Sequence, residues 1–154
     1  MKHTGLFLVI LAAAACGEPT GADRPGTATA RYGPVELRLA VAPSSVETGG
    51  DFLLELEIEN VSARTDSIQV TCSIALIPEV TRGDDHLHLV GAPSACYDLV
   101  WWKTLEPGER YVESYEVSAR TSEGGPIAEG QYRLRALLML PDAPDLRVWL
   151  TVEE

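Results

Sequence analysis

From Val35 onward the large apolar residues of this chain recur at every second position, and this period restricts the fold more than any other feature. "VELRLAVA" sets Val35, Leu37, Leu39 and Val41 on one face. "DFLLELEIEN" sets Phe52, Leu54, Leu56 and Ile58 inward and Glu55, Glu57 and Glu59 outward. "SIQVTCSIAL" aligns Ile68, Val70, Cys72, Ile74 and Leu76, and "HLHLV", "CYDLVWW", "RYVESYEV", "QYRLRALLML" and "LRVWLTV" continue the pattern. A strand turns successive side chains to opposite faces, so alternation over such runs predicts half-buried antiparallel strands. No segment carries a 3.6-residue period. "APSSVETGGD", "ENVSARTD", "TRGDD", "LEPGE", "SEGGP" and "LPDAPD" supply the turns between them.

Seven to eight strands over residues 35–154 predict an all-β domain, an immunoglobulin-like antiparallel β-sandwich. In "EGQYRLRA", Gly130 stands two residues before Tyr132. This resembles the tyrosine corner of Greek-key sandwiches, whose phenol bonds back to nearby backbone. The other reading makes Tyr132 one more core aromatic.

The chain before Val35 is of a different kind. Lys2 and His3 precede an unbroken apolar run from Gly5 to Ala15. A helix of that length is about 16 Å long, too short for a hydrocarbon core of roughly 30 Å. Residues 1–15 therefore read as a signal peptide. Ala13, Ala14 and Ala15 followed by Cys16 resemble the lipobox of bacterial lipoproteins, with Ala13 where Leu is preferred. The resemblance implies lipidation of Cys16, cleavage just before it, and a domain held by that lipid on the extracytoplasmic face of a membrane, in the periplasm or at the cell surface. Residues 16–34 are rich in Gly and Pro and hold no aliphatic larger than Ala, so they read as the lipidated cysteine and a flexible tether.

The three cysteines then divide by task. Cys16 takes the lipid. Cys72 and Cys96 remain for an oxidising compartment, where they are expected to form a disulfide. No CxxC spacing points to redox chemistry.

The stretch from Thr48 to Ala136 resembles the BsuPI-type domain, named for an intracellular proteinase inhibitor of bacilli. The resemblance rests on "LELEIENVS", "IQVTCSIAL", "CYDLVWW", "TLEPGERY" and "AEGQYRLRA", in that order. "PEVTRGDDHLHLVGAPSA" replaces a shorter loop before Tyr97, and Ala128-Glu129 stand where a Pro is usual. The resemblance implies a sandwich. It also implies an alternative function, inhibition of a proteinase through an exposed loop over residues 78–95.

Signals for chemistry are sparse. The formal net charge of −11 excludes a general affinity for nucleic acid, whose phosphates need a basic face. "GDDHLH" gathers Asp84, Asp85, His86 and His88, and the two imidazoles would share one strand face as candidate metal ligands. A solvated turn is the competing reading. There is no G-x-S-x-G, no phosphate loop followed by a helix and Lys, and no isolated carboxylate pair. An enzyme is not expected, nor a cofactor.

The outward phases carry aromatics. Trp149 faces away from Leu146, Val148 and Leu150; Leu137 and Met139 take the outward phase of their strand. Trp101 and Trp102 are adjacent, so one of them points outside. Trp149, Leu137, Met139 and Trp101 are the candidates for an apolar contact patch. Together these features predict a lipid-anchored binding or structural module that recognises a protein of the bacterial cell envelope.

Overall fold

The computed structural model describes residues 26–154; Cys16, the apolar run and the first part of the segment read as a tether lie outside them. Among the described residues there are eleven strands and no helix. They are β1 (Thr27–Tyr32), β2 (Val35–Ala42), β3 (Ser45–Glu47), β4 (Asp51–Asn60), β5 (Asp66–Cys72), β6 (Leu76–Arg82), β7 (Asp85–Leu87), β8 (Asp98–Leu105), β9 (Arg110–Ser118), β10 (Gly130–Leu138) and β11 (Leu146–Glu153). One sheet runs β1-β2-β4-β9, a second β3-β11-β10-β6-β7, and β5 pairs with β8 in a third. Every pairing is antiparallel except β11 with β3. Met139, just past β10, joins the two-stranded sheet to the five-stranded one, accepting from Thr71 N and donating to Ala75 O, each at 2.8 Å.

The architecture is the β-sandwich that the alternation predicts. Leu37 and Leu39 of β2, Leu54, Leu56 and Ile58 of β4, Leu134 of β10 and Val148 and Leu150 of β11 are all buried in one core. Each such side chain contributes about 1.5–3 kcal/mol on leaving water. Tyr132 is buried too, and its hydroxyl donates to Ala128 O at 2.6 Å, the tyrosine-corner bond. The outward glutamates of β4 meet a cation: Arg110 lies 3.6 Å from Glu57 and 3.0 Å from Glu59.

Three strands are silent in the hydrophobic pattern. β1 lies inside the segment read as a tether, so the domain begins before Val35. Its sequence, "TATARY", offers no large aliphatic, yet it pairs with β2 from Thr27–Ala40 to Tyr32–Val35. Ala28, Ala30 and Tyr32 pack on the core, and the Tyr32 hydroxyl donates to Pro141 O at 2.6 Å. β3 occupies part of the "APSSVETGGD" turn segment. β6 occupies part of the segment read as a loop, where Pro78 and the buried polar Thr81 hide the alternation. "SIQVTCSIAL" is correspondingly not one strand: the chain breaks after Cys72, and Ala75 and Leu76 are both buried while Ile74 is not.

Candidate functional site

β8 is the most unusual strand of the molecule. Its start is pinned by a Cys72–Cys96 disulfide with Cα atoms 5.9 Å apart. Ser73 reinforces the pin: its N–H donates to Tyr97 O, and its hydroxyl accepts from Tyr97 N, both at 3.1 Å. The ladder with β5 runs from Asp66–Leu105 to Cys72–Asp98, with a bulge between Val70 and Cys72. This register sets the phase of the two tryptophans. Trp101 lies opposite the buried Val70 and turns inward. It stacks edge-on against Tyr111 of β9 at 5.8 Å between centroids, and its indole N–H donates to Cys72 O at 2.7 Å. Trp102 is the outward one. Trp101 therefore does not belong to an exposed patch.

Apart from Asp98, what β8 and the preceding Tyr97 expose is mainly an apolar strip. Tyr97 is 83% exposed, Leu99 53%, Val100 58% and Trp102 63%. These residues cover both faces of the strand. Among the described residues, no strand pairs with the other edge of β8. Its backbone groups on that edge are open to an added strand.

Next to β8, Glu113 of β9 bridges the sheets. Its carboxylate accepts from Ala75 N at 2.8 Å and from the Tyr115 hydroxyl. Burial, then the hydrogen bond and charge of Glu113, push the Tyr115 phenol well above its ordinary value; burial and the same charge raise Tyr111.

The other patch candidates do not come together. Trp149 and Leu137 share the outer face of the five-stranded sheet, and both are half-buried. Trp149 lies opposite Arg133, whereas Leu137 lies opposite Ile77. Arg133 and Leu137 are four residues apart on β10, about 13 Å along a strand. Arg135 stands between them, with Nε 2.8 Å from Asp145 and Nη1 3.4 Å from Glu79. Met139 packs onto the core beyond the end of β10.

The "GDDHLH" residues do not form a metal centre. Asp84, Asp85, His86 and His88 are all exposed. Among the described residues, no three His, Cys, Asp or Glu side chains are placed to hold an ion. His86 lies instead opposite Thr81 and 3.3 Å from Glu79. The contacts continue from Glu79 through Arg135 and Asp145 to Arg147. Burial alone would raise the Asp145 carboxyl, but hydrogen bonds from Arg147 and Arg135 hold it below its ordinary value.

The segment 78–95 is likewise not one exposed loop. It contains most of β6, a turn at Gly83 and Asp84, and β7. The remainder is stitched to the body: Leu89 is buried and bridges to Thr121, Val90 N donates to Arg120 O, and Ser118 N donates to Val90 O. Gly91, at a φ of 84°, lies so close to β9 that a Cβ there would meet Glu116 O at 2.0 Å. Only glycine permits that approach.

No protein-family model matches the chain, and no curated protein matches it. Among solved structures it is similar to a β-glucosidase from Listeria innocua in complex with isofagomine, at 13% identity and a TM-score of 0.43. That likeness covers 77% of this chain and 16% of the other, so the chain spans a small part of the enzyme's length. The alkylpurine DNA glycosylase AlkC of Pseudomonas fluorescens is similar at 11% identity and a TM-score of 0.41, over 74% of this chain and 28% of that one. The yjhA protein of Bacillus subtilis is similar at 14% identity and a TM-score of 0.40, over 81% and 96%. Likenesses this loose carry no functional argument.

Proposed function

We propose that this protein is a lipid-anchored, non-enzymatic β-sandwich of the BsuPI type, held on the extracytoplasmic face of a bacterial membrane through Cys16, and that it recognises a protein partner along β8. The observation that carries this reading is the β8 strip. An edge strand that is apolar on both faces is an aggregation hazard unless something covers it. Strand addition is a general mode of recognition: the backbone supplies affinity and alternate side chains supply specificity. The disulfide and the Trp101 hydrogen bond hold the strip rigid, which lowers the ordering cost of binding.

Two measurements test the reading. Acyl labelling of wild type against Cys16→Ser should show lipid only on wild type. Affinity capture from envelope extracts should give the same partner with wild type and Trp149→Ala, and lose it with Val100→Glu. Equal capture by all three forms would remove β8 as the contact.

A further inference from the structure

We infer that the occupant of the free β8 edge is a second copy of this chain, paired antiparallel about a two-fold axis through Trp101. The inference rests on the reading that β8 is the contact strip, and names its partner.

The sheet edges differ in what they offer an added strand. β3 and β7 are three residues long, too short to template an added strand. β1 is a short strand ending in Arg31 and Tyr32. β9 carries Arg110, Glu113 and Glu116 along its length. Such charges blunt an edge. β5 is an edge as well, but Met139 O accepts from Thr71 N there, and its Ile68 and Val70 are buried. β8 alone among these edges exposes several uncharged apolar side chains, Leu99, Val100 and Trp102, around the inward Trp101.

Symmetry constrains the pairing. An antiparallel pair related by a two-fold axis keeps each residue on its own face of the joined sheet, so residues that oppose one another must be an even number apart. The axis must therefore pass through a residue. Through Val100 it would oppose Asp98 with Trp102, setting a carboxylate against an indole. Through Trp101 it opposes Val100 with Trp102 twice, Trp101 with itself, Leu99 with the Lys103 stem, and Asp98 with Thr104. Each residue then meets one it can pack against or bond to, and no like charges face each other.

Charge supports the same pairing. Two copies of an acidic chain repel over most of their surfaces. From Tyr97 to Leu105 the strip holds one Asp and one Lys, so two copies can pair along it without a net like charge between them.

The test uses the full-length protein in its membrane, with a photo-crosslinking amino acid at position 102, and a control with the probe at Glu57 on the opposite face. Adducts containing two copies are expected from position 102 and not from 57. With the probe at Thr104, which opposes Asp98, substitutions at the Val100–Trp102 pair can be compared. Val100→Glu alone and Trp102→Lys alone should each lower the self-adduct about tenfold or more. Together they set the introduced carboxylate of one copy against the introduced ammonium of the other, twice across the axis. The double variant should restore the adduct, because the proposed register makes these residues partners. Both positions are exposed, and circular dichroism of each variant checks that it folds. A double variant that is not restored overturns the inference. So does a position-102 probe that couples only to a different protein, an outcome that leaves β8 standing as the contact strip. No adduct with any protein overturns both.

Discussion

Trp101 donates its indole N–H to the backbone carbonyl of Cys72 at 2.7 Å, so the residue that closes the disulfide also holds the middle of β8. The end of β5 thus holds the approach to β8 at Cys96 and the strand itself at Trp101. Between these anchors Leu99 and Val100 are held extended without cover, and Trp102 follows them on the outside. Rigidity and exposure have one origin here.

The disulfide is expected to contribute substantially to stability. It joins residues 24 apart, and closing a loop of that size in the unfolded chain stabilises the native state by about 3 kcal/mol on the chain-entropy account. Cys96→Ser should therefore lower the urea midpoint by about 1–2 M, at a slope near 2 kcal/mol per M. A variant with an unchanged midpoint would show that the bridge constrains nothing that folding does not already constrain.

Asn60 should be the most sensitive polar position. It is fully buried at the end of β4. Its side-chain nitrogen donates to Arg64 O at 2.8 Å and Leu105 O at 2.9 Å, while its oxygen accepts from Ser62 N at 2.9 Å. Asn60→Leu keeps the volume but takes the amide donor from Leu105 O and the acceptor from Ser62 N; Arg64 O loses one donor and keeps the Ser62 hydroxyl at 2.9 Å. Urea unfolding should register a loss of about 2–4 kcal/mol. A loss below about 1 kcal/mol would mean that water replaces the amide.

The legibility of this chain follows the source of each element's stability. β2, β4, β10 and β11 are readable because their burial is carried by large aliphatics at every second position. β1 is not, because Ala28 and Ala30 give almost no periodic signal and backbone pairing with β2 holds the strand. β6 is hidden by Pro78 and Thr81. At the site, the adjacency of Trp101 and Trp102 announces one inward and one outward indole. Which is which depends on the register with Val70 and on a bulge, and neither is local in sequence. Glu113 gives no signal either: a carboxylate in the inner phase of β9 makes sense only once Ala75 N is seen to need an acceptor. The patch around Trp149 fails for a related reason, since a shared face does not imply proximity along the strands.

Alkaline pH should destabilise the fold through the tyrosines around Glu113. Burial, with the Glu113 hydrogen bond and charge, raises Tyr115 above the ordinary phenol value of 10.0, and burial with the same charge raises Tyr111. Below that pH both states hold these protons and nothing changes. Above it the unfolded chain releases them first, so stability falls as pH rises through and beyond 10. Phenolate absorbance should show Tyr111 and Tyr115 ionising late. In Glu113→Gln the negative charge is gone, and both should ionise at lower pH than in wild type. Identical titrations of the two proteins would show that Glu113 exerts no field on these phenols.

Adjacent tryptophans should respond in opposite ways to truncation. Trp101 packs against Tyr111 and bonds to Cys72 O, so Trp101→Ala opens a gap between β8 and β9 and removes a hydrogen bond. A loss of about 2–4 kcal/mol is expected, somewhat below the figure for a fully buried tryptophan. Trp102 is largely solvent-facing, and Trp102→Ala should change stability by no more than about 0.5 kcal/mol. The cost of Trp102→Ala should appear instead in the photo-adduct formed from a probe at Thr104. If Trp102→Ala were the more destabilising of the two, the phase of β8 would be reversed, and Trp101 would be the side chain offered to a partner.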